Sequence, residues 1–205
     1  MKNKLTIGEF LLQSIKKAGI KSIFGIPGDM VIRFFKVIED DRDLKLYTFS
    51  HEPGVGFAAV ASARASRKPA VACVTYGVGG LNMLNAVACA YAEKTPLIVL
   101  SGGPGEDERA KDSFLHHTVK DFDSQLKIFR EVTCEAVILD SQKTARARRE
   151  TKCISHNSLA NRNMRHYCCC CVSCRISPNQ VETRISKTTN SHRPSANLQQ
   201  LLPIS

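Results

Sequence analysis

The chain has 205 residues, room for one ordinary domain and an appendage. Its formal net charge of +10 is unevenly spread: residues 1–142 hold 18 Lys and Arg against 17 Asp and Glu, and residues 143–205 hold 11 against 2. All 12 glycines lie in the first part and six of the nine cysteines in the second, so the basic pI belongs to the second part and is no argument that the first binds nucleic acid.

Residues 1–19 carry Glu9, Gln13, Lys16 and Lys17 inside a helical pattern, without the apolar core and cleavage site of a signal peptide. No run approaches the roughly 18 apolar residues of a membrane-spanning helix. Cys73, Cys89 and Cys134 stand in apolar stretches, where a thiol behaves as a small hydrophobe. These features predict a cytoplasmic chain without a membrane partner.

In chain order, Thr6 with Glu9 forms a capping box for a helix whose apolar positions are Phe10, Leu11, Ile15 and Ala18, closed by Gly19. Ser22–Ile26 reads as a strand ended by Pro27-Gly28. Asp29 opens a helix with an apolar face of Val31, Ile32, Phe35, Val37 and Ile38. After a charged turn at 40–43, Leu44–Phe49 is the second strand, and a helix with many small residues runs from Val55 to Ser66. Ala70–Thr75 is a continuous apolar strand of the kind buried on both faces. A Gly-rich turn at 77–80 leads into a helix over Leu81–Ala92, followed by a strand at Pro96–Leu100. Residues 102–112 read as a loop, Asp123–Phe129 as a helix and Val132–Leu139 as the last strand. The alternation predicts an α/β fold, a doubly wound and mainly parallel sheet with helices on both faces. Right-handed crossovers then gather the loops that follow the strands on one edge.

Four motifs fall on that edge: Gly25-Ile26-Pro27-Gly28-Asp29, His51-Glu52-Pro53-Gly54, Thr75-Tyr76-Gly77-Val78-Gly79-Gly80 and Leu115-His116-His117-Thr118. By itself Glu52 is a carboxylate at a helix N-terminus, favoured there by the helix dipole. By itself the Gly-rich turn could begin a dinucleotide site, although Gly77-Val78-Gly79-Gly80-Leu81-Asn82 lacks the third glycine of that fingerprint. Together, over residues 4–140, the motifs resemble the N-terminal, pyrimidine-binding domain of thiamine-diphosphate-dependent 2-oxo acid decarboxylases, the pyruvate and indolepyruvate decarboxylase group.

The resemblance implies thiamine diphosphate as cofactor, with Glu52 hydrogen-bonded to its pyrimidine ring nitrogen. It implies that Pro27, Gly28, Thr75, Gly77 and Val78 line the pyrimidine pocket. Asp29, His116 and His117 would join Glu52 as catalytic groups, because releasing an aldehyde from a 2-oxo acid needs proton transfers that a carboxylate and imidazoles suit. The His pair and the Pro-Gly-Asp run resemble the simple decarboxylases and not the carboligating acetolactate synthases. Val60 and Ser62 depart from the family's usual Asp and Tyr, and Cys89 from a common glycine. The family holds magnesium and the diphosphate with a Gly-Asp-Gly motif in a separate domain, and this sequence contains no Gly-Asp-Gly. The implied function is therefore the pyrimidine half of a carbon–carbon lyase, inactive alone and completed by another domain, as a homo- or hetero-oligomer with full-length subunits. The alternatives are a non-catalytic truncated fragment that at most pairs with such subunits, and a nucleotide-binding Rossmann-type module.

Residues 1–142 form the expected thiamine diphosphate pyrimidine-binding domain, and 143–205 a basic Cys-, Ser- and Arg-rich tail expected to be disordered. Cys168 to Cys171 are adjacent and cannot all face one ion; beyond that run, Cys171 and Cys174 have a two-residue gap. The abrupt loss of glycine and periodicity is what an out-of-frame continuation would produce, which reading the other two frames past codon 143 tests.

Overall fold

In the computed structural model, described for residues 6–110, 115–139 and, as backbone, 170–174, helix α1 (Ile7–Lys17) starts on the expected capping box. Thr6 Oγ1 accepts from the Glu9 amide at 3.1 Å, and Glu9 Oε2 accepts from the Thr6 amide at 2.9 Å. Strand β1 (Ser22–Gly25) and helix α2 (Ile32–Glu39) follow, then β2 (Lys45–Thr48), α3 (Glu52–Ser66) and β3 (Ala70–Val74). Helices α4 (Val78–Asn82) and α5 (Leu84–Ala92) precede β4 (Leu97–Gly102). The chain continues through α6 (Glu106–Ala110), α7 (Ser124–Val132), β5 (Glu135–Leu139) and β6 (Cys170–Cys174).

The strands form one parallel sheet in the order β2-β1-β3-β4-β6-β5. Strands β3 and β4 are buried throughout and divide their side chains between two cores. Val71, Cys73, Ile98 and Leu100 point to the layer of α1 and α2, with Leu11, Phe34, Phe35 and Ile38. Ala72, Val74, Leu97 and Val99 point to the layer of α3, α5 and α7, with Ala59, Val87 and Phe129. Period-two alternation on a sheet covered on both faces is what makes these strands continuously apolar. The sheet with helices on both faces is the expected α/β architecture.

Local differences have local causes. Helix α3 begins at Glu52 and not Val55, because Pro53 fits the first turn, where no amide partner is needed. The Gly-rich turn is helical from Val78, with a break at Met83 between α4 and α5. Helix α6 lies inside the segment expected to be loop. Helix α7 runs on to Val132 and takes the first residues assigned to the last strand. On α2 the buried face includes Phe34, while Ile32 and Val37 are only half-buried. Cys73 is buried, but Cys89 is half-buried and Cys134 exposed, since Cys134 falls in the turn between α7 and β5.

Of the residues beyond 142 the structure describes β6 alone, which pairs with β4 on one side and β5 on the other; the expectation of disorder otherwise falls outside the described residues. The run of cysteines with Val172 is short and apolar, the composition of a buried strand as much as of an irregular segment. The metal reading of that run concerns side chains outside the described residues. Among the described residues no helix is long and apolar enough to cross a membrane.

Candidate functional site

The chain runs from β1 outward to β2, then crosses back past β1 to β3, so the strand order reverses between β1 and β3. In open α/β sheets the crevice outside the strand C-termini at such a reversal is where ligands bind. The two loops that meet there are Ile26–Asp29 after β1 and Thr75–Gly77 after β3. Backbone ties them together: the Ile26 amide donates to the Cys73 carbonyl at 3.1 Å. Gly28 lies so close to Thr75 that a Cβ on it would come within 2.9 Å of the threonine Cβ.

A cleft of about 530 Å³ opens at this edge, lined by Glu52, Thr75, Val78, Gly79, Leu81, Asn82 and His117. Glu52 stands in the first turn of α3 and is half-buried, with its Oε2 accepting from Asn82 Nδ2 at 2.6 Å. The interaction fixes the carboxylate from the end of α4. Gly79 faces Glu52 across the cleft; a Cβ there would meet Thr75 Cγ2 at 2.6 Å and stand 3.7 Å from Glu52 Oε1. Thr75 Oγ1 is buried with no partner among the described residues, a polar atom of the kind that a ligand or water completes.

Beneath the cleft, Gln125 of α7 is buried. Its Oε1 accepts from the Gly77 amide at 2.7 Å and from Ser101 Oγ at 3.4 Å. Gly77 has φ +63° and ψ −123°, which a side chain would not tolerate. The missing Cβ leaves room for the His117 carbonyl, which packs directly on this glycine.

The 115–118 loop is held over the cleft by Tyr76. Its hydroxyl donates to the His116 carbonyl at 2.5 Å and lies 3.0 Å from Thr118 Oγ1. Burial pushes the Tyr76 phenol above its ordinary pKa, so it remains a neutral donor through physiological pH. His117 has φ +68°, and its ring lies 4.5 Å from that of His116 and 6.3 Å from Tyr76. His116 Nε2 contacts Asp29 Oδ2, and Asp29 Oδ1 accepts from the Met30 amide at 2.8 Å.

The structure thus brings Glu52, Thr75, Val78 and His117 into one cleft, with Gly28 and Gly77 shaping its walls and Asp29 and His116 at its rim. Pro27 is exposed in the β1–α2 loop and is not among the lining residues. Leu81, Asn82 and Gln125 escaped the sequence reading as site residues. Asn82 had a signal, an amide two residues after the Gly-rich turn. Gln125 had none, since contact with Gly77 depends on how α7 packs back onto the sheet.

Comparison with known proteins agrees with this geometry. Residues 5–128 match the family described as thiamine pyrophosphate enzyme, N-terminal TPP binding domain. The chain is 48% identical over 143 residues to indole-3-pyruvate decarboxylase of Azospirillum brasilense, covering 70% of this chain and 26% of that protein. It is 36% identical over 138 residues to pyruvate decarboxylase 1 of Arabidopsis thaliana, covering 66% and 23%. With pyruvate decarboxylase 2 of Oryza sativa subsp. japonica the figures are 32% over 148 residues, 71% and 24%. The chain spans about a quarter of the length of these relatives, and the Rossmann alternative is set aside by the family match. This chain therefore belongs to the thiamine pyrophosphate enzymes, through their N-terminal TPP binding domain.

Proposed function

We propose that the chain supplies the pyrimidine half of a thiamine diphosphate site for the non-oxidative decarboxylation of a 2-oxo acid to an aldehyde. The observation that carries this is the meeting in one cleft of Glu52, fixed by Asn82, with the partnerless Thr75 hydroxyl and the Gly79 backbone. These residues fit a flat nitrogen heterocycle: a carboxylate for a ring nitrogen, a hydroxyl and backbone for its substituents, and Val78 and Leu81 for its face. Thiamine diphosphate, when bound, supplies the nucleophilic carbon and the electron sink for decarboxylation.

Asn82 occupies one oxygen of Glu52 and keeps the other turned toward Gly79, where it holds or gives up a proton at the pyrimidine. Asp29, His116 and His117 carry protons to and from the reacting end of the 2-oxo acid. Gly28 and Gly77 shape the pocket wall. Magnesium and the diphosphate would be held by another domain, in an oligomer with full-length subunits in the cytoplasm. Residues 1–142 would be the binding domain and 143–205 an appendage to it.

A chimera tests this, with residues 1–142 replacing the matching segment of the Azospirillum brasilense indole-3-pyruvate decarboxylase. Aldehyde formation from 2-oxo acids should survive the exchange. Glu52→Gln in the chimera should lower kcat by about 10²–10⁴-fold, the range of a lost proton-transfer group. A chimera equally active with Gln at position 52 would sink the reading.

A further inference from the structure

We propose that Asp29, His116 and His117 form a binding site for a zinc-class divalent cation, distinct from any magnesium held with the diphosphate. One ligand atom from each of the three lies within 4.8 Å of the others. Around a common ion at about 2.0–2.2 Å, the usual zinc–nitrogen and zinc–oxygen lengths, such atoms stand on the order of 3–4 Å apart. Small side-chain rotations close that difference. Two imidazoles and a carboxylate suit zinc, cobalt, nickel and iron, whereas magnesium prefers oxygen ligands.

The frame is already fixed. Asp29 is tied to the Met30 amide through Oδ1, which leaves Oδ2 facing His116. Tyr76 holds the histidine loop through the His116 carbonyl, and Gly77 seats the His117 carbonyl. Asp29 and His116 are exposed and His117 is half-buried, so the ion reaches the site from solvent and keeps open positions for water. This site rests on the placement of three side chains and not on the decarboxylase reading. Where that reading also holds, the bound ion ties up the groups that move protons and acts as an inhibitor.

The test is a calorimetric titration of the full chain with zinc chloride, repeated with cobalt(II) chloride in a spectrophotometer. The rival ligands are the cysteines at 168–171 and 174, so a variant with all five changed to serine is titrated beside the parent. The serine variant should bind zinc one to one like the parent. His116→Gln and His117→Gln should each weaken binding at least about tenfold, because affinity rests on few protein ligands. Cobalt should give visible bands without a near-ultraviolet thiolate band. Circular dichroism checks each variant, and Asp29→Asn replaces His117→Gln if that variant unfolds. Zinc affinity unchanged by the histidine variants, lost in the serine variant, or matched by magnesium chloride at the same residues would overturn the proposal. Thiamine binding is not among the readouts, so its success or failure leaves this outcome unaffected.

Discussion

Gly77 is the residue on which the site's loops converge. Its amide is held by the buried Gln125, its φ of +63° is open to glycine, and its bare Cα is where the His117 carbonyl rests. Gly77→Ala should therefore destabilise the fold by about 1–3 kcal/mol, the cost of holding a non-glycine residue in such a conformation. It should also displace the 115–118 loop. Chemical denaturation checks the first effect and histidine NMR shifts the second; a variant with parental stability and unmoved His117 signals would contradict the account. Tyr76 acts on the same loop from the other side. As its buried phenol is pushed above its ordinary pKa, its stabilising contribution is complete below about pH 10, the unfolded value, and is lost as pH rises past the folded one. Glu52 was legible in the sequence because its motif follows the strand β2, and the histidines because they stand as a pair after a loop. Asn82 and Gln125 were not, because their partners lie 30 and 48 positions away.

At the scale of elements, alternation and capping made most of the fold readable. The Thr6–Glu9 box is a local signal, and the strands Ala70–Val74 and Leu97–Gly102 are apolar because each has a core on both sides. Boundaries failed where a short-range signal met a longer-range one: Pro53 could start α3 earlier, and Gly79 and Gly80 did not prevent a helical turn. Strand β6 was illegible because its position is set by the partners β4 and β5 and not by any pattern around it. Helix α1 is pinned to the α2–β2 turn by Lys16, which donates to Asp41 at 2.6 Å and to Asp43 at 3.3 Å. The hydrogen bond from Lys16 holds the Asp41 carboxyl below its ordinary range, and the same bond raises Lys16. A depressed carboxylate stabilises the fold above its unfolded pKa of about 3.9 and loses that contribution as pH falls through its folded value. Asp41→Asn should thus slightly lower the melting temperature at neutral pH and bring no further loss well below pH 3. A gap that widened in acid would show that the pair is not the cause.

For the whole molecule, the proposed function makes the cleft half of a site, and its affinity should show it. One charge-assisted hydrogen bond contributes roughly 1.5–3 kcal/mol, against an association cost of about 4–15 kcal/mol. Apolar contact with the walls of an open cleft does not close that gap. The chain by itself should show no decarboxylase activity and no saturable binding of thiamine diphosphate with magnesium below about millimolar concentration by calorimetry. Micromolar binding abolished by Glu52→Gln would mean that this domain holds the cofactor unaided. The two-sided core has a further consequence. The sheet is a partition between separately packed layers, and the site straddles its upper rim. Asp29 belongs to the segment that leads into α2, on one layer, while Glu52, Asn82 and Gln125 come from α3, α4 and α7, on the other. The two sides of the site are therefore registered against each other through the strands between them and through the loop contacts at their ends, such as that of His116 with Asp29. A void opened under Ile38 and one opened under Val87 would tilt opposite walls of the same cleft, so distant core substitutions become alignment errors at the seam.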